Sequence, residues 1–277
     1  MAVELEIEDG TPWYASPNIK VFELGHPSVE VTPKAGELYG LKAIVRNNGN
    51  DEVSDATVRF YWANPAGAIS RATTSTPGTA IEVGTGTASL GANGAVEEVP
   101  CDQIWVPTFV NDGHECLLAE AFHPDEDPLP SASDFNVPGD RHVAQRNIMV
   151  EKAFGGFFSF VFEVHNPEQE ARSFTIRAEQ GKLEQLGAFG KLFDDIITFE
   201  DGSFEVLGFT QARCPDRNEL ETLVPQLEEV SVGPLGRTGF ALAGLLEGET
   251  AVVWITQLDG RDEVGGLGIV VHQEEKE

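Results

Sequence analysis

Apolar residues recur at every second position over much of this sequence. In the segment DATVRFYWA, the apolar set runs from Ala56 to Trp62, and Thr57, Arg59 and Tyr61 alternate with it. The preceding LKAIVRN has the same period, and the NNGNDEVS between the two segments is rich in turn-forming residues. A period of two places neighbouring side chains on opposite faces of a strand. The pattern therefore predicts two strands that are joined either as a hairpin or as a crossing between two sheets.

Further short strands are predicted along both halves of the chain. In the first half they cover residues 80–83, 96–99, 116–122 and 143–150. In the second half they cover FGGFFSFVFEVHNP, with Phe158, Phe160, Phe162 and Val164 on one face, and then ARSFTIRA, ETAVVWITQLDG and GGLGIVVH. Two segments, KLEQLGAFGKLF and RNELETLVPQLEEV, have a modest helical period, and in the second Asn218 is a candidate cap and Pro225 limits the length.

Short strands that are separated by turn residues predict an all-β chain built from antiparallel β-sandwiches. A length of 277 residues suits two domains of ordinary size. We therefore predict two immunoglobulin-like β-sandwich domains, one over residues 1–150 and one over residues 151–277. The two helical segments place one or two short helices in the second domain.

A faint internal echo favours two similar domains. Val45-Arg46-Asn47 is followed by an acidic turn and then by Ala56-Thr57-Val58-Arg59. Val164-His165-Asn166 is followed by an acidic turn and then by Phe174-Thr175-Ile176-Arg177. A strand that ends in Asn, a turn and a returning strand are common in immunoglobulin-like sandwiches. The echo supports two sandwiches without establishing a duplication.

Charge is the feature in which this chain departs most from an ordinary globular protein. It has 46 acidic and 18 basic residues and a formal net charge of −28. Affinity for nucleic acid needs clustered Lys and Arg, so nucleic acid is excluded as a partner. No apolar run is long enough to span a membrane, and membrane insertion is not expected. A well-solvated surface, a basic protein partner and a saline habitat each account for the acidity.

Four sequence blocks carry a family resemblance over about residues 11–150. They are W-x-x-S-P-N-I-x-V from Trp13 to Val21, IVRNNGNDEVSDATVRFYWANP, HECLLAEAF and HVAQRNIMV. In this order they resemble a bacterial immunoglobulin-like module similar to the cell-adhesion-related domains called CARDB. Asn18 stands where Asp is more common in the module, and Glu115 stands where an aromatic residue is common. The resemblance implies a non-catalytic appendage or building block and brings no catalytic residue. The second half is not assigned to a family.

The segment NDGHECLLAEAFHPDED contains the residue types of a metalloenzyme or a thiol nucleophile. A zinc peptidase of the HExxH type needs two histidines four residues apart, and His114 is followed only by His123. A hydrolase that uses His114, Cys116 and His123 is therefore disfavoured. On a strand, Cys116 shares a face with Leu118 and Phe122, which we expect to point inward, with Glu120 near an edge or a bulge. A thiol in such surroundings has a raised pKa and is inert.

Two groups of residues are candidates for binding. Loop carboxylates suit a calcium ion, and Asp125, Glu126 and Asp127 lie in one loop with Asp134 a few residues on. The spacing does not match a calcium-loop signature, so a solvated acidic loop is the simpler interpretation. Trp13, Tyr14 and Trp105 lie beside prolines and are candidate stacking residues for carbohydrate, although packing beneath a loop also explains them.

The cysteines and the N terminus bear on where the protein resides. Three cysteines are an odd number without a CxxC spacing, which favours a reducing compartment and leaves open one bridge between Cys101 and Cys116. Residues 1–30 have no basic leader followed by an apolar core. We therefore expect cytoplasmic synthesis without a standard signal peptide, and an assembled particle is an open final location.

These features favour a non-catalytic structural or interaction subunit of a larger assembly, such as a filament, a phage-like or secretion-type particle, or a surface structure. Its expected partners are other protein subunits, itself, or both, and no cofactor other than Ca²⁺ is considered. The segment before Trp13 and the strands after Ala251 are candidates for exchange with a partner, since sandwich edges accept added strands. The alternative is a carbohydrate- or calcium-dependent binding or adhesion module.

Overall fold

The computed structural model of the chain describes residues 2–63, 69–72, 78–107, 116–131, 135–189, 202–210 and 215–274. The described part is dominated by strands, with short 3₁₀ segments between some of them. It contains no helix of the length and apolar character needed to cross a membrane. The predicted all-β, sandwich-type fold class is confirmed.

The chain divides into two compact units, with a boundary between Asn147 and Ile148. Each unit encloses a separate apolar core. The predicted strand over residues 143–150 spans this boundary. The structure divides it into two strands, the last strand of the first unit and the first strand of the second.

The first unit contains β1 (Leu5–Glu6), β2 (Ile19–Glu23), β3 (Tyr39–Asn47), β4 (Val53–Ala63), β5 (Ile81–Leu90), β6 (Ala95–Pro100), β7 (Cys116–Phe122) and β8 (Val143–Arg146), with a 3₁₀ turn over Val137–Gly139. In one sheet, β3 pairs with β1 and β2 and also with β6. The other sheet has the order β5-β4-β7-β8. Consecutive strands β3 and β4 thus belong to different sheets, so their connection is a crossing between sheets and not a hairpin.

The alternation of apolar residues in β3 and β4 explains the core of the first unit. Leu41, Ala43 and Val45 of β3 are buried and face Val58 and Phe60 of β4 in one apolar cluster. The intervening residues of β3 are partly exposed, because they lie on the outer face of the sheet. The period of two that is visible in the sequence is therefore the period of core burial.

One prediction about the orientation of β7 is wrong. The core contains the odd-numbered residues Leu117, Ala119 and Ala121, whereas the even-numbered residues from Cys116 to Phe122 face the other way. Those residues are buried as well, because a second layer covers the outer face of the β5-β4-β7-β8 sheet. Glu120 lies in an interior strand between β4 and β8, and not near an edge.

The second unit contains β9 (Ile148–Phe154), β10 (Phe157–His165), β11 (Arg172–Gln180), β12 (Ser203–Thr210), β13 (Gln226–Val232), β14 (Arg237–Glu247), β15 (Thr250–Asp259) and β16 (Asp262–Glu274). These strands form one sheet with the order β12-β14-β10-β9-β16-β15-β11-β13. The β9–β16 pair is parallel, and the other pairs are antiparallel.

The sheet of the second unit wraps around a single core. Each of its strands contributes side chains to one apolar cluster, among them the predicted set from Phe158 to Val164. At the two ends of the sheet, Phe209 of β12 donates its N–H to the carbonyl of Val224 at 2.7 Å and accepts the Val224 N–H at 3.1 Å. The segment that leads into β13 therefore meets β12, and the two ends of the sheet come together around the core.

In the two helical segments predicted for the second unit, the described residues form short 3₁₀ helices over Leu183–Phe189 and Arg217–Thr222, and residues 190–193 of the first segment lie outside the described residues. The predicted cap Asn218 is also wrong, because Asp216 is the N-cap and its side chain accepts the N–H of Asn218. The remainder of the second segment is strand β13. Its side chains bury Val230 and Val232 in the core, which outweighs the modest helical propensity of QLEEV.

The strands proposed for exchange with a partner are used within the fold. Leu5 and Ile7, which belong to the predicted donor segment before Trp13, are buried in the first unit, and β1 pairs with β3. Strands β15 and β16 lie inside the eight-stranded sheet and have a neighbour on each side. The structure therefore contradicts the idea that these segments are available as free donor strands.

Candidate functional site

The loop His123–Asp127, which we considered as a cation site, folds as a tight closed turn. The main chains of His123 and Asp127 exchange hydrogen bonds of 3.0 and 3.1 Å. Nδ1 of His123 accepts the N–H groups of Asp125 and Glu126, at 3.3 and 3.1 Å. His123 thus has a structural role in ordering the turn, and the side chains of Asp125 and Glu126 are exposed.

Asp127 differs from its two acidic neighbours because its carboxylate is buried and paired. Oδ2 accepts the N–H of Leu5 at 2.7 Å, and Oδ1 lies 2.5 Å from Nη2 of Arg141 and 3.2 Å from Nε2 of His142. These partners correct the prediction that Asp127 faces a cation together with Asp125 and Glu126. Asp134 lies outside the described residues. Within the described ranges, no group of three or more His, Cys, Asp and Glu side chains is arranged to hold a metal ion.

The predicted stacking residues are mostly interior. Tyr14 and Trp105 are each only 2% exposed, and Trp105 belongs to the core cluster of the first unit. Trp13 is half-buried and meets the Tyr14 ring edge to face, with centroids 5.2 Å apart. The prediction of an exposed aromatic platform is therefore wrong for Tyr14 and Trp105, and the alternative of packing beneath a loop is correct for them.

The thiol of Cys116 is a packing group. It is fully buried, and burial raises its pKa well above the usual range. Cys101 is half-buried, burial raises its pKa too, and both thiols are free. The burial of Cys116 and its raised pKa agree with the predicted packing role of this thiol. His114 and Cys214, which were also of interest, lie outside the described residues.

Glu120 is the centre of a buried polar cluster on the outer face of the β5-β4-β7-β8 sheet. Its side chain is fully buried, and Arg71 Nε donates to Oε2 at 2.8 Å. The hydroxyl of Tyr61 donates to Oε1 at 2.6 Å, and Nη1 of Arg59 lies 3.5 Å from the same oxygen. Burial and the neighbouring Glu120 carboxylate raise the pKa of Tyr61 far above its usual value. Phe135 covers the cluster by packing against both Tyr61 and Arg71.

A second polar group surrounds His142, the residue that directly precedes β8. Nδ1 of His142 lies 2.6 Å from Oδ1 of Asp140, and Nε2 faces Asp127. Burial acts to lower the pKa of His142, but the hydrogen bonds with the two carboxylates outweigh it and raise the pKa above 6.5. For Asp140, burial acts to raise the pKa, and the hydrogen bonds from His142 outweigh it and lower the pKa. Each of the two groups therefore favours the charged form of the other.

Asp9 is an acidic group of a different kind. Its Oδ1 is buried and has no hydrogen-bond partner among the described residues. Burial, with a smaller contribution from Glu6, raises its pKa to about 7. A lone carboxyl without a base or a nucleophile beside it is not a catalytic constellation.

The polar groups around Glu120 and Asp127 have a structural role in the fold. Glu120 and Asp127 are paired with guanidinium groups, which occupy their carboxylate oxygens as hydrogen-bond acceptors. Sequence reasoning missed Tyr61, Arg71 and Asp140 as partners, because they come from separate segments. The available signal was Glu120 itself, a charged residue within the otherwise apolar strand CLLAEAF.

An exposed apolar patch lies on the outer face of β2 and β3. Tyr39 and Trp105 exchange main-chain hydrogen bonds of 2.9 Å and point inward, so their neighbours Leu38, Ile104 and Val106 point outward. On the other side of β3, Phe22 pairs with Gly40, and Leu24 lies in the turn that directly follows β2, where the N–H of His26 donates to the carbonyl of Glu23. The apolar patch, as we define it, consists of Phe22, Leu24, Leu38, Ile104 and Val106.

The members of the apolar patch are well exposed for residues of their type. Leu24, Leu38, Ile104 and Val106 are 43%, 56%, 53% and 44% exposed. Gly40 lies at the centre, where a Cβ atom would come within 2.3 Å of the Phe22 ring. The glycine therefore lets the aromatic ring lie flat across the strand and keeps the patch continuous.

Comparisons with known proteins do not assign a function. No family model matches the sequence, and no curated protein matches it. The chain is similar over 100% of its length to the transglutaminase of red sea bream, with 11% identity and a TM-score of 0.27, but it spans only 32% of that protein. The N-terminal domain of PorA is 16% identical over 46% of this chain and 87% of that domain, with a TM-score of 0.27. DesR, a β-glucosidase from Streptomyces venezuelae, is 18% identical over 46% of this chain and 14% of that protein, with a TM-score of 0.22. Likenesses this weak carry no argument about activity.

Proposed function

We propose that this protein is a non-catalytic structural or interaction subunit that binds another protein through the surface of its first β-sandwich. The observation that carries the proposal is the apolar patch, four members of which are more than two fifths exposed. Single exposed apolar residues are ordinary, but a contiguous group on one sheet face is typical of an interaction site. Removal of such a group from water is the main driving force of protein association.

The state of the chemical groups supports the same proposal. Glu120 and Asp127 are paired within the fold, and the Cys116 thiol is buried with a raised pKa. A nucleophile needs an adjacent base or a lowered pKa, and Cys116 has a raised one. This argues against the hydrolase alternative in its Cys116 form. The calcium- or carbohydrate-dependent alternative loses support from the pairing of Asp127 and the burial of Tyr14 and Trp105.

We further propose that both units are immunoglobulin-like and that the first is related to CARDB modules. In the first unit, β6 returns beside β3, β7 returns beside β4, and β8 follows beside β7. In the second unit, β14 returns beside β10, β15 beside β11, and β16 beside β15. A path in which sequential strands alternate between two packed layers is the one that immunoglobulin-like sandwiches use. The four sequence blocks from Trp13 onward support the CARDB relationship.

The proposal is tested by affinity capture of the tagged full-length protein from its source cells, followed by reconstitution with the purified partner. We expect a partner protein that forms a complex of defined stoichiometry, as measured by size exclusion with light scattering. The purified protein alone, over a range of concentrations, is the control for self-association. A protein that remains monomeric at high concentration, with no partner recovered, would argue against an assembly role.

A further inference from the structure

We propose that Asn48 and Asn93 are latent deamidation sites, which the fold of the first unit keeps unreactive until it opens locally. This inference goes beyond the proposed function and does not depend on it. A glycine follows each of the two asparagines, and these are the two Asn-Gly pairs of the sequence. The fold brings the pairs together, since the N–H of Asn93 donates to the carbonyl of Gly49 at 2.7 Å.

Asn-Gly pairs are prone to deamidation because glycine has no side chain to hinder the approach of its main-chain nitrogen. In the reaction this nitrogen forms a bond with Cγ of the asparagine, and the bond between Cγ and Nδ2 breaks. Nδ2 takes up the N–H proton of the glycine and leaves as ammonia. Water then opens the resulting succinimide at either carbonyl, which leaves aspartate or isoaspartate. The reaction consumes water and releases ammonia, and it requires that the glycine N–H be free.

In the first pair, the attacking nitrogen and the leaving group are both held by other partners. The N–H of Gly49 donates to Oδ1 of Asn47 at 3.0 Å, and Gly49 is buried. The chain covers it closely, since a Cβ atom at Gly49 would come within 2.1 Å of the carbonyl oxygen of Ala2. Nδ2 of Asn48, the leaving group, donates to a carboxylate oxygen of Glu6.

In the second pair, the protection rests on a main-chain hydrogen bond. Gly94 donates its N–H to the carbonyl of Asn47 at 2.7 Å. Asn93 is exposed and has a left-handed φ of 59°, so water reaches its side chain. Asn47 therefore holds the nitrogens of both glycines, one with its side chain and the other with its main chain.

Deamidation of Asn48 loosens the segment of residues 2–7. This segment pairs with β3 through Leu5 and Glu6, and the carbonyl of Glu4 accepts the N–H of Asn48 at 2.8 Å. After deamidation a carboxylate replaces the Nδ2 donor opposite Glu6, and the two negative charges repel each other. Isoaspartate also adds a carbon atom to the main chain at this point. Because ammonia is lost, the change persists when the unit closes again.

The experiment incubates the full chain at mildly alkaline pH, folded and in denaturant, and follows both sites by mass spectrometry of its peptides. Deamidation is read from the mass gain when OH replaces NH₂ and from the separation of aspartate and isoaspartate peptides. We expect both sites to react at least about tenfold more slowly in the folded protein, because a site that reacts only after local opening is slowed by the opening equilibrium.

Two substitutions of Asn47 separate the hydrogen bond from the stability of the unit. Asn47→Ala removes the side-chain acceptor of Gly49 and leaves the main-chain acceptor of Gly94 in place. We expect deamidation of Asn48 to accelerate about tenfold, and more than that of Asn93, since the loss of one hydrogen bond changes the opening equilibrium by about this factor. Asn47→Asp keeps an acceptor oxygen and loses the Nδ2 donor, so Asn48 should react more slowly than in Asn47→Ala.

Two further variants serve as a control and as a test of the loosened segment. Asn166→Ala removes the corresponding asparagine of the second unit and should change neither deamidation rate. Asn48→Asp is a product of the reaction, whereas Asn48→Ser removes the same donor without adding a charge. We expect amide hydrogen exchange of residues 2–7 to be faster in Asn48→Asp than in Asn48→Ser.

Deamidation of the folded protein at the rate measured in denaturant would overturn the inference, and this comparison needs no variant that must fold. Equal acceleration of both sites by Asn47→Ala and by Asn47→Asp would also overturn it, because a loss of stability alone then explains the rates. Equal exchange of residues 2–7 in Asn48→Asp and Asn48→Ser would show that the added charge does not loosen the segment.

Discussion

Each unit of this protein has a buried asparagine that holds the turn after a strand, Asn47 at the end of β3 and Asn166 directly after β10, although the sheets of the two units differ. In the first unit, Oδ1 of Asn47 accepts the N–H two residues on at 3.0 Å, and Nδ2 donates to the carbonyl four residues on at 2.8 Å. In the second unit, Asn166 makes the same two bonds, at 3.1 and 2.8 Å. Nδ2 of each asparagine also donates to a glycine carbonyl, Gly91 or Gly233, at 3.0 Å in both cases.

The turns that the two asparagines reach also correspond. They read GANG over residues 91–94 and GPLG over residues 233–236. Asn93, with φ of 59°, donates to the carbonyl of Gly49 at 2.7 Å. Leu235, with φ of 51°, donates to the carbonyl of Glu168 at 2.9 Å. The backbone arrangement is therefore shared down to a left-handed residue at the third position, even where the side chain differs.

The difference between the units lies in how the sheets are joined. In the second unit, β9 pairs in parallel with β16 and touches β10, which joins the two halves into one sheet. In the first unit, Ala15 forms an antiparallel bridge with Arg146 at the edge of β8, and the sheets remain separate. The two units therefore share the asparagine-held turn and the path of their strands. They differ in the first segment of each unit, which joins the two halves of the sheet in the second unit and leaves two separate sheets in the first.

The outer faces of the corresponding strands β7 and β15 are covered in different ways. In the first unit, Glu120 holds a network of ion pairs and a tyrosine hydroxyl. In the second unit, Trp254 lies against Gly268, where a Cβ atom would come within 2.2 Å of the ring, and donates to Gln185 at 3.2 Å. The outer faces of the corresponding strands β7 and β15 are therefore covered by polar side chains in one unit and by an aromatic ring in the other. Both arrangements require that buried polar groups have hydrogen-bond partners.

The largest effect is expected from Glu120→Ala, which removes the polar network that covers β7 and leaves the aromatic covering of β15 unchanged. The change removes the Glu120 carboxylate that accepts from Arg71 and Tyr61. We expect the free energy of unfolding of the first unit to fall by about 3–5 kcal/mol. Hydrogen–deuterium exchange by mass spectrometry measures it, because it reports the two units separately. Glu97→Ala, at an exposed strand position, is the control. An equal loss in both units would contradict a local role for Glu120.

Removal of either corner asparagine should come next in size. We expect Asn47→Ala to destabilise the first unit and Asn166→Ala the second, each by about 2 kcal/mol, because buried carbonyl groups lose their donor. Denaturant titration of the exchange rates measures both. Asn218→Ala, at an exposed asparagine, should have little effect. A loss of stability in only one unit would show that the same hydrogen bonds contribute differently to the stability of the two units.

Reciprocal changes at the left-handed position sharpen the comparison further. Asn tolerates this conformation better than Leu, so Leu235→Asn should stabilise the second unit by about 1 kcal/mol. Asn93→Leu should destabilise the first unit by a similar amount. Thermal unfolding of both variants is the measurement. If both changes had the same sign, side-chain packing would outweigh backbone strain at these turns.

Asp9 should make the first unit less stable as pH rises. Its pKa is raised from 3.8 to about 7, so the unfolded chain releases this proton first and stability falls between those values. We expect Asp9→Asn to stabilise the first unit at pH 8 by at most about 1 kcal/mol, because solvent screens a partly exposed group. Exchange rates at pH 4 and pH 8 measure it. A gain at pH 4 as large as that at pH 8 would exclude a titration effect.

The smallest effect expected is at His142. Its pKa is raised above 6.5, so the stabilisation by Asp140 and Asp127 is complete below 6.5 and is lost as pH rises through the folded-state pKa. NMR titration of the imidazole measures the pKa directly. His142→Gln should remove this part of the pH dependence in the first unit, and His26→Gln, at an exposed histidine, should not. An imidazole that titrates at or below 6.5 would contradict the pairing.

Much of the fold was predictable because strand patterning is local. The limits of β7 match the predicted segment 116–122, and the four residues from Phe158 to Val164 that share a face are all buried. The echo between Asn47 and Asn166 is also visible in the sequence, since each lies between a strand and an acidic turn. The second helical segment was predicted too long, because QLEEV has no local signal for the core contacts that make it part of strand β13.

The candidate site was less predictable, because its partners are distant in sequence. Glu120 pairs with Arg71 across 49 positions, and Asp127 accepts from Leu5 across 122 positions. The apolar patch depends on the register between Tyr39 and Trp105, which orients Leu38 and Val106 outward. No local pattern contains that register.

The sequence by itself determined the all-β class, most strand positions and the acidity, because alternation, turn residues and charge are properties of short segments. The tertiary structure alone decided which face of β7 is buried, how each unit closes its sheets, and which apolar residues remain on the surface. A strand with apolar residues on both faces, such as CLLAEAF, fits either orientation until the segments that cover it are in place.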